Sequence, residues 1–251
     1  MFKSYKRKIK KIYKKKLQKL KSRFNIVLQN EKNKFTRILR HDIKTPLLAQ
    51  IQTLKLLYDG KFGSLTPIQK DITGEILNSN NILYDIISNT IFLSDYENKK
   101  PELKLENVCI RDEIKEVCAL LSQYAKIKQQ NIIVKANKNT TIKADKELIQ
   151  KIIFNLVTSS VSSGFENSDI IVGMKESKNS VSFYAKNKSV YMTKEKINSM
   201  FEDKKGLCDF NQLGANLNLN IAQKLIAAHN WDLVAKSNKD NSSIIGFVAK
   251  K

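Results

Sequence analysis

Apolar residues recur every three or four positions through the N-terminal quarter of the chain. Tyr5, Ile9, Ile12, Tyr13, Leu17, Leu20, Phe24 and Leu28 mark one face of a helix whose polar face is covered in lysine. The period carries on through Phe35, Ile38, Leu39, Leu47, Leu48, Ile51, Leu54 and Leu57, which predicts one unbroken helix to about Tyr58. DGKFGS (59–64) interrupts it with two glycines. Thr66-Pro67-Ile68-Gln69 then supplies an N-cap threonine, a proline at the first helical position and a capping-box glutamine. A second helix follows through Ile72, Ile76, Leu83, Ile87 and Leu93. Two long helices around a short loop form a hairpin, and its apolar stripe is wider than one hairpin can bury. The expected assembly is therefore a homodimer, two hairpins making a four-helix bundle.

ENKKPE (97–102) is charged, carries the third proline and marks a domain junction. Beyond it the pattern changes to alternating short elements. A strand near 103–106 precedes a helix over 110–125, with Ile114, Val117, Cys118 and Leu121 on one face. NIIVKA (131–136) and TTIKA (140–144) read as strands, and a helix over 146–162 carries Leu148, Ile152, Ile153 and Leu156. SDIIVGMK (168–175) and SVSFYAK (180–186) read as a strand hairpin, followed by helices over 193–201 and 216–228; WDLVAKS and SSIIGFVAK close the chain as strands. Helices grouped against a mixed or antiparallel sheet give an α+β sandwich. The predicted organisation is a basic amphipathic arm (1–30), a helical hairpin (31–98) and an α+β unit (102–251).

The net charge of +21 is unevenly placed: residues 1–40 hold 16 Lys/Arg and one acid, the remainder 29 basic and 23 acidic residues. Basicity belongs to the arm rather than to the fold. Residues 1–25 fit an anionic membrane surface, a coiled coil or non-specific nucleic acid binding; specific nucleic acid recognition is not expected. Cys109, Cys118 and Cys208 lack metal-ligand spacing and, with two histidines in all, predict no zinc site; they suit a reducing compartment. No run of about 18 apolar residues offers a spanning helix, and the basic start lacks the apolar core of a signal peptide. The expected location is the cytoplasm, with peripheral attachment to the inner membrane face open to the arm.

One histidine has reactive company. In RILRHDIKTPLLAQ (37–50), His41 precedes Asp42, with Thr45 one turn on and Pro46 next to it. A neutral imidazole nitrogen attacks phosphorus in line if its other nitrogen is held and relieved of its proton. Asp42 can orient the ring and balance the developing imidazolium. The Thr45 hydroxyl can hold a water, and Pro46 removes a helix hydrogen bond and permits a bend. His229 ends a helix with no acid beside it and reads as structural.

Arg40-His41-Asp42-Ile43-Lys44-Thr45-Pro46-Leu47 resembles the H-box of two-component sensor histidine kinases, and residues from about 30 to 251 resemble that family in order and spacing. The resemblance implies that His41 accepts a phosphoryl group, that the hairpin dimerises and that the α+β unit is an ATP-binding domain. Position 45 serves phosphatase action in that family. Ala144-Asp145 through Leu156 is similar to the entry into its N-box, Ile197 to Glu202 to the segment before its ATP lid, and Leu217 to Ala222 with Ala228-His229 to its second glycine-box helix.

The nucleotide boxes depart from the family pattern. Two N-box asparagines four apart, then a basic and an aromatic residue, become Asn155, Ser159, Ser162 and Ser163 here. Asn155 and Ser159 are the implied Mg²⁺ ligands, and serine is the poorer one. The first glycine box reads Asn187-Lys188-Ser189-Val190-Tyr191-Met192, with Asn187 where an aspartate reads adenine. In the second box Gly214 survives, while Asn216 and Asn218 replace glycines. Asparagine tolerates the left-handed conformation, so a turn is expected to persist there. Two functions follow from the resemblance: a kinase that autophosphorylates His41 from ATP and Mg²⁺, or a phosphorelay protein with weak or no ATP use. In the second, His41 exchanges phosphoryl with a response-regulator receiver domain. A membrane- or nucleic-acid-bound scaffold is the third.

Overall fold

The apolar stripe of the first half folds as a helical hairpin. The computed structural model describes residues 2–98, 102–201 and 210–250; the side chains of 2–12, 97, 98, 123, 127 and 210–216 lie outside the description. Contacts divide the chain into two units, Met1–Lys100 and Pro101–Lys251. In the first, helix α1 (Phe2–Ile38) passes through a π-helical turn (Leu39–Ile43) into α2 (Lys44–Tyr58), and α3 (Pro67–Asn98) returns alongside. In the arm, the side chains of Tyr5, Ile9 and Ile12 lie outside the described set.

The hairpin is entered and capped as its sequence dictates. Gly60 and Gly63 adopt φ of +74° and +120°, which a side chain would resist. The Thr66 N–H donates to Gln69 Oε1 at 3.0 Å, and the Gln69 N–H donates to Thr66 Oγ1 at 3.3 Å, closing the capping box ahead of Pro67. Leu39 and Leu47 from one leg bury against Ile87 and Ile91 of the other, with Ile51 and Tyr84 packed at the edge. Large apolar side chains remain outside this core, among them Phe35, Leu48, Ile68, Ile72 and Ile76.

The second unit layers helices on a mixed sheet. Its elements are β1 (Glu106–Cys109), α4 (Ile110–Ile127), β2 (Asn131–Lys135), β3 (Thr141–Ala144), α5 (Lys146–Ser163), β4 (Asp169–Glu176) and β5 (Ser180–Lys188). They continue with α6 (Lys194–Met200), α7 (Phe210–Ala228), β6 (Asp232–Ser237) and β7 (Ser242–Lys250). The main sheet runs β2-β4-β5-β7-β6, with β2 and β4 parallel and the other pairs antiparallel; β1 and β3 make a separate antiparallel pair. Isoleucines 149, 152 and 153 and Leu156 of α5 are fully buried. Gly246 faces Tyr184 across the β5–β7 ladder, and any Cβ there would lie 2.0 Å from the Phe183 carbonyl oxygen. Burial pushes the Cys118 thiol on α4 up to about 12, so it behaves as a small hydrophobe.

Two expectations are corrected. The first leg is not one uniform helix, because a π-turn interrupts it at the histidine. The first strand of the second unit lies at 106–109 rather than 103–106.

Candidate functional site

His41 sits in the π-turn. The Lys44 N–H reaches back to the Leu39 carbonyl, five residues rather than four, and Ile43 takes φ −112°. The cause lies just downstream. Pro46 has no N–H for the Asp42 carbonyl, and its ring would clash with that carbonyl in an unbroken helix. The wider turn moves the apolar face on by one residue. In a plain α-helix Ile43 would follow Leu39 into the core; here it is 39% exposed, and Leu47 is the next residue buried. His41, Asp42 and Thr45 are all exposed.

The turn is anchored on its N-terminal side. Arg40 makes a forked ion pair with Asp95 of α3 at 3.0 and 2.8 Å, and the hydroxyls of Thr36 and Ser94 meet at 2.7 Å. Sequence reading did not anticipate these pairs, since partners more than fifty residues apart leave no local signal.

The threonines of the hairpin show what the turn does for Thr45. Thr36, Thr53, Thr73 and Thr90 each donate to the carbonyl four residues back, at 2.7 to 3.0 Å. Thr45 makes no such bond among the described residues, and neither the His41 ring nor the Asp42 carboxylate is paired there. A ring nitrogen, a carboxylate and a hydroxyl thus stand open on one exposed turn.

The second group of expected residues lies in the Pro101–Lys251 unit, around the C-terminal half of α5. That helix starts on Asp145, whose carboxylate accepts from the N–H groups of Leu148 and Lys104 at 3.1 and 2.9 Å. The Asp145 N–H donates to His229 Nε2 at 3.2 Å, and His229 Nδ1 donates to the Leu225 carbonyl at 2.8 Å. His229 also stacks on Trp231 at 4.4 Å, and these bonds give it a structural part in joining α7 to the start of α5.

Most polar groups of the α5 end are already paired. Asn155 is fully buried and its amide donates to the Lys151 carbonyl at 2.8 Å. Ser159 is buried. Ser162 meets the Tyr124 hydroxyl at 3.2 Å, and its carbonyl accepts from Lys128 Nζ at 2.7 Å. Asn187 donates both amide hydrogens to α5, to the Ser160 carbonyl at 2.7 Å and to Ser163 Oγ at 2.9 Å. Only its carbonyl oxygen is left to meet a ligand.

A chain of hydroxyls holds the loop after β5 against the sheet. Ser189 Oγ donates to Ser243 Oγ at 2.7 Å, Ser243 Oγ to Ser237 Oγ at 3.1 Å, and the Met192 N–H to Ser237 Oγ at 3.1 Å. No sequence spacing links these serines; the β6–β7 register, which pairs Ser237 with Ser243, brings them together. Between loop, sheet and α5 there remains a cavity of about 40 Å³, lined among others by Ser159, Asn187, Met192, Ile197, Phe201 and Leu219. Beside it, sharing Ile197, Phe201 and Ala235, lies a more open cavity of about 370 Å³, within the roughly 300–1,000 Å³ of small-molecule sites.

The expected turn at the second glycine box is overturned. Helix α7 begins at Phe210, so positions 214 to 218 are helical. Phe210, Leu213, Leu217, Ile221 and Leu225 keep a helical period, and with asparagine in place of two glycines little remains to break it. Asn218 is buried within the helix. The side chain of Asn216 lies outside the described residues, as does what surrounds Gly214, and so does the expected segment from Glu202 onward.

Residues 31–99 match the model of the His Kinase A (phospho-acceptor) domain. Sensor histidine kinase GlrK of Escherichia coli (strain K12) is 30% identical over 145 residues, covering 57% of this chain and 30% of that protein, so the chain spans under a third of that relative's length. Full-length ShkA, solved in complex with AMPPNP, superposes with a TM-score of 0.63 at 20% identity over 86% of this chain and 45% of that one. ThkA in complex with the response regulator protein TrrA gives a TM-score of 0.55 at 17% identity, over 91% and 66% respectively. These structures establish the likeness of fold. A phospho-acceptor domain is thus matched around His41, and the unit that follows shares its fold with solved histidine kinases, so both parts of the chain are similar to two-component sensor histidine kinases.

Proposed function

We propose that this chain is a phosphotransfer protein of two-component signalling whose phosphoryl group enters through His41, with weak or no use of ATP of its own. A ring nitrogen of His41 attacks the acyl phosphate of a receiver-domain aspartate; an N–P bond forms, the O–P bond breaks and the carboxylate leaves. The reverse step passes the group to a receiver aspartate. Asp42 balances the imidazolium while the bond is made, and Thr45, its hydroxyl open, holds a water for dephosphorylation. The exposed apolar residues on both legs of the hairpin, such as Phe35, Ile68, Ile72 and Ile76, support a homodimer built as a four-helix bundle.

The observation that carries the reading is the contrast in occupancy of polar groups. The residues at the nucleotide positions offer ATP and Mg²⁺ few free groups. Asn155 is enclosed, Asn187 has one free atom, and the phosphate-facing cation is replaced by Ser162. A diverged autokinase is the second reading, favoured by the free Asn187 carbonyl and by the fold shared with ShkA, which was solved with AMPPNP. It requires the hydroxyl-tied loop to open.

Incubation with a phosphorylated receiver domain tests the proposal. Transfer of label to the wild-type chain, lost in His41→Ala, is expected. No transfer under conditions where the receiver remains phosphorylated overturns it.

A further inference from the structure

From Tyr13 to Phe35 every side chain of α1 is exposed, including Tyr13, Leu17, Leu20, Phe24, Val27 and Leu28. At 3.6 residues per turn these six form one narrow stripe, about 24 Å long, which Glu31 interrupts before Phe35. The basic residues are not spread evenly over the rest. Lys14 and Lys21 border the stripe on one side, Lys16 and Arg23 on the other. The far side is mostly uncharged, carrying Gln18, Ser22, Asn25, Gln29 and one exposed apolar residue, Ile26, with Lys15 and Lys19 as exceptions.

We propose that this stripe lies on an anionic lipid surface. The arrangement places apolar side chains against the acyl boundary while the bordering cations reach phosphate at headgroup depth, their stems extended along the interface. Charge decides between this occupant and a second copy of the helix. A self-pairing seam would bring Lys14, Lys16, Lys21 and Arg23 of both chains together at the positions that flank a coiled coil, where complementary charge is needed. A bilayer bearing negative lipid supplies the complement. No helix among the described residues is long and apolar enough to cross a membrane, so the helix lies on the surface. The proposal is independent of how His41 is phosphorylated.

Flotation of the full chain with vesicles tests it, using equal phosphatidylglycerol and phosphatidylcholine against phosphatidylcholine alone. Wild type is expected to float with the anionic vesicles, not the neutral ones, and to be released by high salt. Each bordering cation is worth on the order of fivefold in affinity, so the Lys14→Gln, Lys16→Gln, Lys21→Gln, Arg23→Gln variant should bind on the order of a hundredfold or more weakly. Leu20→Gln with Phe24→Gln should also lose binding, while circular dichroism shows both variants folded. Equal flotation with neutral vesicles, no flotation, or undiminished binding by the fourfold variant overturns the proposal. So does a seam variant that loses only dimerisation, or a chain that is retained on DNA and ignores vesicles.

Discussion

The π-turn at His41 and the C-terminal half of α5 are both helical segments dense in polar groups, and they treat those groups in opposite ways. At the π-turn, proline and the wider winding leave the ring, the carboxylate and the Thr45 hydroxyl without partners among the described residues. On α5 and the adjoining end of β5, the Asn155 amide, the Ser162 hydroxyl and the Asn187 amide are engaged by protein, while the buried Thr158 hydroxyl has no partner among the described residues. A buried polar group that is fully paired stabilises the fold and has little left to offer a ligand. An exposed, unpaired one adds little to stability and is free for chemistry. The difference teaches where reactivity has been kept in this chain.

The largest expected effect breaks the open side. His41→Ala should abolish phosphoryl acceptance from a receiver domain, while the unfolding free energy measured in urea stays within about 0.5 kcal/mol of wild type because the residue is exposed. Next comes the closed side. Asn187→Asp restores the acid that the family resemblance leads one to expect, yet it removes both hydrogens donated to Ser160 and Ser163. A carboxylate would face a carbonyl oxygen, and unfolding should show a loss of about 2–3 kcal/mol. An unchanged midpoint would mean that Asn187 is not braced as described.

A subtler change sharpens the link between winding and chemistry. Pro46→Ala supplies the missing N–H and should let the π-turn relax towards α-helix, so that Thr45 donates to the carbonyl of His41 as the other threonines do. Dephosphorylation of a receiver should then slow about tenfold, roughly 1.4 kcal/mol, with acceptance at His41 retained. Thr45→Ala should show the same slowing. The smallest effect concerns the nucleotide positions: millimolar ATP with Mg²⁺ should raise the melting temperature by less than about 2 °C.

Much of this was legible in the sequence where local chemistry decides structure. The capping box at Thr66 and Gln69, the glycine turn at 60 and 63, and the alternating strands of the second unit all follow from residues within a few positions of each other. His41 with Asp42, Thr45 and Pro46 was readable for the same reason. The start of α7 was misread because a turn was expected from the family's glycines, whereas the apolar period from Phe210 onward already continued the helix. The π-turn had a faint signal in the eight-residue gap between Leu39 and Leu47. The hydroxyl chain through Ser189, Ser243 and Ser237 had none, because strand register alone assembles it.

The central claim is that phosphoryl reaches His41 from outside the chain. Incubating the purified protein with radiolabelled ATP and Mg²⁺, with no receiver domain present, tests it most directly. The account predicts no stable label on the wild-type chain. Label that accumulates on wild type and is absent from His41→Ala would contradict it and establish the chain as its own kinase.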